Sequence, residues 1–302
     1  MKSKLPSFSN TSEDASDILT DVYCAPIFIC STYSGGLNVR PEDLIIEGDF
    51  NQNSQRSGTL TFIRYKGQCF AITCKHVVES LEKREEVAKQ RYQGLGGDGQ
   101  LPEQDMTGFY TPILNTRHHC NYRFYAVPQP ENGEIDLAIT RVDESYIKKL
   151  GRKPIILTEK KKIPEIGIAS GFSEEQRLLQ KYGFMYQFTS KFVRCIATIR
   201  TTSGGELFLY DEISEHNGVN NLSGMSGGPV MWLEYKNFGL LGIVKQGYDI
   251  KPSPGGFNDS NTIYIRIEKI TPKLIEEWSK HLPESSKIPD MTIELYAPQV
   301  VL

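Results

Sequence analysis

Residues 59–74 read TLTFIRYKGQCFAITC: two runs rich in threonine, phenylalanine, isoleucine and tyrosine, joined by Lys66-Gly67. Two β-forming runs with a two-residue, glycine-containing link between them specify an antiparallel hairpin. The pattern recurs along the chain. Cys24 to Thr32, Ile135 to Arg141, Ile166 to Ser170, Phe184 to Arg200, Leu207 to Tyr210, Val230 to Tyr235, Leu240 to Lys245 and Thr262 to Ile267 all read as strands between turn residues. Many short strands of this kind favour a barrel or sandwich over alternating βαβ units. At 302 residues the chain can bury a substantial core as one two-lobed domain or two small ones.

Two segments have helical periodicity. Val77 to Arg91 carries Val77, Val78, Leu81 and Val87 on one side. The second starts with Thr271 as N-cap and Pro272 at the first helical position, turns Leu274, Ile275 and Trp278 inward, and ends by Pro283. Residues 93–106, with four glycines, read as an exposed insertion, and residues 1–21 as a flexible arm. A tail containing MTIELY, one possible strand, follows Pro283.

The formal net charge is −3, and lysine and arginine are dispersed apart from short runs. That argues against a nucleic-acid surface. No window reaches the roughly 18 apolar residues of a membrane-spanning helix, so no membrane partner is expected. The N-terminal stretch follows its basic residues with serine, asparagine and acids, unlike a secretory signal. The six cysteines are accordingly expected to be reduced, in a cytoplasmic protein. His118-His119-Cys120 has no second paired cluster to complete a metal site and reads as a surface loop.

Between residues 221 and 232 the sequence is NLSGMSGGPVMW, with Ser226 among Gly224, Gly227 and Gly228. Glycines so closely spaced need a backbone reason. Either a nucleophilic serine is flanked by N–H groups that point into a pocket, or the stretch is a tight turn between strands. A nucleophile needs a base and a group that orients it. Of the five histidines, only His76, in ITCKHVVES, sits where a strand ends and a helical turn begins. Asp136 opens the apolar run of GEIDLAITRV, where its carboxylate lies beside the core and calls for a partner. Each residue also has a purely structural reading: a half-buried histidine, or an aspartate capping a turn. The G-x-S-x-G pattern of α/β-hydrolases is met formally. However, Pro229 to Leu233 reads as a strand where that fold needs a helix.

ITCKHVV around His76, DLAI from Asp136, GMSGGPV from Gly224, GLLGIVKQG from Gly239 and NTIYIRI before the last helix occur in this order. Together they resemble the chymotrypsin-like (trypsin-like) serine proteases over roughly residues 22–282. The valines after His76 are most similar to the bacterial and HtrA-like branches. The resemblance implies an all-β fold of two Greek-key, six-stranded barrels with a C-terminal helix. Residues 22–150 would form the first barrel, 151–270 the second, and 271–302 the helix and tail. It implies a His76–Asp136–Ser226 triad, an oxyanion hole from the N–H groups of Gly224 and Ser226, and no cofactor or metal. Substrate would lie along Lys245, Gln246 and Gly247, with Asn220 on the pocket floor and Thr262 in its wall. Its partner would be a protein or peptide substrate. The second reading, from another class, is a catalytically silent peptide-binding module of the same fold.

Two departures matter. Met225 precedes the serine where secreted zymogens keep an acid that pairs with a newly cut N-terminus, so activation by that ion pair is not expected. Lys245 stands where a small hydroxyl residue usually supports the carboxylate, and a lysine directed to solvent is expected there. Control is expected instead from a regulatory partner, or from the arm, the insertion or the tail.

Overall fold

The computed structural model describes residues 20–31, 58–80, 107–113, 116–120, 122–130, 134–160, 162–182, 185–213, 222–234, 237–248 and 261–284. Among these the chain is mostly β-strand: one sheet, one closed barrel and a short C-terminal helix.

The hairpin that dominates the sequence forms as read. β2 (Gly58–Tyr65) and β3 (Gln68–Thr73) pair antiparallel across Lys66 and Gly67, both at positive φ (48° and 80°). Such turns match the natural twist of the strands they join. β1 (Cys24–Ser31) pairs β2 through its first half and β4 (Thr107–Ile113) through its second. β5 (Thr116–Cys120), β6 (Tyr125–Ala126), β7 (Ala138–Arg141) and β8 (Ile155–Ile156) complete this sheet. Its order is β5-β4-β1-β2-β3-β7-β6, with β8 beside β2. His118, His119 and Cys120 thus belong to a strand, correcting the surface-loop reading. Backbone pairing with β4 puts them there, with His118 opposite Thr111 and His119 opposite Tyr110.

The second half is a six-stranded barrel in the order β10-β11-β14-β13-β12-β9. Its strands are β9 (Ile166–Tyr182), β10 (Met185–Thr201), β11 (Leu207–Ile213), β12 (Pro229–Glu234), β13 (Asn237–Tyr248) and β14 (Asn261–Lys269). After β11 the chain crosses to place β12 beside β9, and β14 returns against β11 to close the ring. β9 and β10 are each 17 residues long; β10 matches the run read at Phe184 to Arg200 to within one residue, whereas β9 extends well beyond the run read at Ile166 to Ser170.

Two cores result. Phe62, Phe70, Ile72, Leu137 and Ile147 fill the first, and Leu209, Met225, Val230, Val244 and Ile265 the second. The last helix, Pro272–Ser279, is capped by the Thr271 hydroxyl, which accepts from the Leu274 N–H. It buries Ile275 and Trp278 in the first core, which also takes in Met231, Leu240 and Ile243 of the barrel. A short helix at Glu144–Lys149 carries too few residues to show periodicity and was not legible in the sequence. No described helix is long and apolar enough to cross a membrane. The helix read over 77–91 is described at 75–80; its remainder, the insertion at 93–106 and the MTIELY strand lie outside the described residues. The arm is described only from Thr20, which is buried in a 3-10 turn running to Tyr23.

Candidate active site

His76 lies one residue into the helical stretch that follows β3, where the strand has just emerged from the core. Asp136 precedes β7, the neighbour of β3, so the pairing of those strands brings the two side chains together. The contact is double. Asp136 Oδ2 stands 2.6 Å from His76 Nδ1, and Oδ1 accepts from the His76 backbone N–H at 3.0 Å. The carboxylate is largely covered (16% exposed) while the imidazole is open to solvent (46%). Burial pushes the Asp136 carboxyl upward, but the His76 hydrogen bonds and the positive charges of His76 and Lys245 outweigh it. The net effect holds Asp136 below the ordinary carboxylate value.

Lys245 does not point to solvent, contrary to the sequence reading. Its Nζ donates to Glu268 Oε2 at 2.8 Å and to the Glu134 carbonyl at 3.4 Å. The same Glu268 oxygen accepts from the Asp136 backbone N–H at 3.4 Å. A covered lysine needs a counter-charge, and β14 supplies one across the ladder from β13.

Ser226 lies between the two cores on the loop that leads into β12. Gly224 and Gly227 adopt φ of 89° and 88°, a conformation that other residues rarely adopt. Gly227 also has no room for a side chain, since a Cβ would enter the Thr59 carbonyl and the Thr73 hydroxyl. The loop is tied to β13 by Gly227 N–H to the Val244 carbonyl and Val244 N–H to the Gly228 carbonyl, both 2.8 Å. It is tied equally to the first sheet. Thr59 N–H donates to the Ser226 carbonyl at 2.8 Å, and the Thr59 and Thr61 hydroxyls donate to the Gly224 and Gly227 carbonyls at 3.0 and 2.7 Å. The Thr73 hydroxyl donates to the Thr59 carbonyl at 2.9 Å. All three threonines are fully buried. Among the described residues, the N–H groups of Gly224 and Ser226 have no acceptor.

The loops carrying His76 and Ser226 meet at Gly58, where an added Cβ would lie 2.5 Å from Val77 Cγ1 and 3.1 Å from the Ser226 carbonyl. Cys74, two residues before His76, reaches β13, where its thiol donates to the Val244 carbonyl at 3.2 Å. The Ser226 hydroxyl donates to the Lys245 carbonyl at 3.4 Å; no hydrogen bond joins it to His76 among the described residues. Such bonds often tighten only when substrate binds.

Cys74, His76 and Asp136 form a group whose donor atoms lie within 4.8 Å of one another. Burial holds the Cys74 thiol well above its ordinary pKa, and its hydrogen is committed to a carbonyl. A metal needs the thiolate, and structural zinc four such donors. The chemistry of the group is that of an oriented imidazole.

Of the substrate-binding residues read from sequence, Gln246 is exposed and Gly247 half-buried at the end of β13. Thr262 lies in β14 opposite Glu212, and Asn220 lies outside the described residues. The threonines of β2 and β3, Cys74 and Glu268 were not found from sequence. Threonine and cysteine are ordinary strand residues, and nothing in their spacing shows what their hydroxyls or thiol face across the molecule.

No family model matches the sequence, and no curated protein matches it. Among solved structures, a thermostable serine protease (AL20) from an extremophilic microorganism has a TM-score of 0.42 at 9% identity, with 86% of this chain and 96% of that one covered. The protease Anisep from Arthrobacter nicotinovorans has a TM-score of 0.42 at 12% identity, covering 86% and 94%. The serine protease domain of the Sesbania mosaic virus polyprotein has 0.34 at 12%, covering 80% and 87%. Similarity at this level leaves the functional reading to the chain's own geometry.

Proposed function

We propose that this chain is a serine endopeptidase that cleaves peptide bonds through an acyl-enzyme, with His76, Asp136 and Ser226 as its triad. The observation that carries the reading is the double hydrogen bond from His76 to a largely covered Asp136, beside a serine loop whose Gly224 and Ser226 N–H groups have no acceptor among the described residues. Asp136 holds the proton on Nδ1, leaving Nε2 as the base. His76 takes the Ser226 proton as Oγ attacks the substrate carbonyl, then delivers it to the departing amine. The N–H groups of Gly224 and Ser226 receive the oxyanion, at about 3 to 4 kcal/mol per donor in such sites. Water then releases the acyl group by the same proton path in reverse.

Peptide substrate is aligned in this proposal along Lys245, Gln246 and Gly247, as extended chain beside the end of β13. The first lobe, read as residues 22–150 and joined by β8 at Ile155–Ile156, contributes the base, and the barrel from β9 onward contributes the nucleophile. A fluorophosphonate probe tests the reading. Labelling of the wild-type protein that is lost in Ser226→Ala supports it. Absence of labelling, together with peptide binding, would leave the silent binding module in its place.

A further inference from the structure

The oxyanion pocket proposed above needs two peptide planes, those ending in the Gly224 and Ser226 N–H groups, to converge on one point. The residue between them, Met225, is fully buried and uncharged, so no ion pair anchors the loop from that position. Gly224 sits at φ 89°, in a region that glycine enters and leaves at little cost. Left to itself, this loop has no reason to keep both N–H groups on the same side.

We infer that Thr59 of β2 is the positioning residue that fixes this pocket, from the opposite half of the molecule. The inference rests on the peptidase reading. One residue holds the loop at two points: Thr59 N–H donates to the Ser226 carbonyl (2.8 Å), and Thr59 Oγ1 donates to the Gly224 carbonyl (3.0 Å). These carbonyls belong to the peptide units that follow Gly224 and Ser226, so holding them sets the rotation about each residue. The hydroxyl is itself oriented. It accepts from the Phe172 N–H of β9 at 3.1 Å, which commits its own hydrogen to Gly224. A chain of hydrogen bonds therefore runs from β9 through Thr59 to the serine loop. Thr59 is 0% exposed, and its carbonyl is held in turn by the Thr73 hydroxyl at 2.9 Å. Buried networks in which every member is satisfied favour one arrangement strongly, because the alternative leaves polar groups unpaired.

The geometry specifies a kinetic signature. Losing the hydroxyl frees the Gly224–Met225 peptide unit, and with it the rotation about Gly224, but leaves the substrate strand and His76 untouched. Transition-state stabilisation falls while ground-state binding does not, which lowers kcat with KM unchanged. Removing a direct oxyanion donor costs about 10²- to 10³-fold. An indirect tether should cost less, about 10- to 100-fold.

The experiment compares wild type, Thr59→Val, Thr59→Ala and Thr59→Ser on one peptide substrate. Concentrations are taken from fluorophosphonate titration, so that misfolded molecules are not counted. The expected result is kcat per titrated site about 10- to 100-fold lower in Thr59→Val, with KM within threefold and serine restoring most of the loss. A peptide boronate, which mimics the tetrahedral adduct, should lose affinity in step with kcat. Thr59→Ala, with room for a water, carries the same test if valine prevents folding. Wild-type kcat and boronate affinity in the valine or alanine variant would overturn the inference while leaving the peptidase reading intact. Wild-type protein that neither cleaves nor labels would overturn that reading first.

Discussion

The two halves of the candidate site are held in place by different forces. The side-chain bonds of His76, Asp136, Lys245 and Lys75 all involve charge: the imidazole on the carboxylate, Lys245 on Glu268, and Lys75 on Glu79 and Glu134. Around Ser226, among the described residues, none does. Its loop is fixed by backbone groups, by the Thr59 and Thr61 hydroxyls on its carbonyls and by the Thr73 hydroxyl behind Thr59. In the proposed peptidase the base gains and loses a proton, so surroundings that tune charge suit it. The proposed pocket has to stay put while charge develops inside it, and fixed neutral dipoles do that without answering to pH.

The largest effect that would break this contrast is expected at Asp136. Asp136→Asn should preserve the fold by circular dichroism yet lower turnover about 10⁴-fold, because the amide selects the wrong imidazole tautomer. Glu134, exposed and loosely paired with Lys75, is the control, and Glu134→Gln should stay within about threefold. Equal losses in the two variants would mean that Asp136 is not the orienting group. Next comes the neutral half. Thr61→Val leaves the Gly227 carbonyl without its hydroxyl donor and should lower unfolding stability by about 1 to 3 kcal/mol. Chemical denaturation should find the same loss at pH 5 and pH 8.

Smaller effects belong to the charged half. Lys245→Met removes a positive charge that favours ionised Asp136 and leaves Glu268 uncompensated beside the Asp136 N–H. A loss of about three- to tenfold in kcat/KM at neutral pH is expected, most of it recovered by pairing the change with Glu268→Gln. The smallest effect is on acid stability. Asp136 ionises more readily in the folded protein than in the unfolded chain, so its contribution is complete above the ordinary carboxylate range near pH 4. It is lost as pH falls through the lower folded value. Denaturation between pH 5 and pH 2 should show a shallower decline in Asp136→Asn than in wild type; identical slopes would show that Asp136 contributes nothing there.

These residues differ in how visible they were beforehand. The β2–β3 hairpin was legible because Lys66-Gly67 fixes a turn by local chemistry alone. His76, Asp136 and Ser226 stood out because each breaks its local pattern: an imidazole at a strand end, a carboxylate opening an apolar run, a hydroxyl among glycines. Thr59, Thr61 and Thr73 break nothing. Their side chains suit a strand, and the carbonyls that they serve lie far along the sequence. The partner of Lys245 was hidden for the same reason, since register between β13 and β14 decides that Glu268 is within reach. β9 was under-read because its second half, such as Gln176 to Lys181, carries no alternating apolar pattern. Its pairing with β10, Tyr182 opposite Met185 onward, extends the ladder regardless.

The hydroxyl tethers also set an order of construction. Thr59 and Gly224 are 165 residues apart in the chain, Thr61 and Gly227 166, and Cys74 and Val244 170. Contacts so distant close late, after the elements between them have formed. At ribosomal rates of about 5 to 20 residues per second, the β2 hydroxyls wait on the order of 10 to 30 seconds for their carbonyl partners to be synthesised. Until β13 arrives, the loop has nothing to bind on its other side. A chain interrupted before the loop that leads into β12 thus carries the threonines without the serine, and the site can assemble only after β13 has been made.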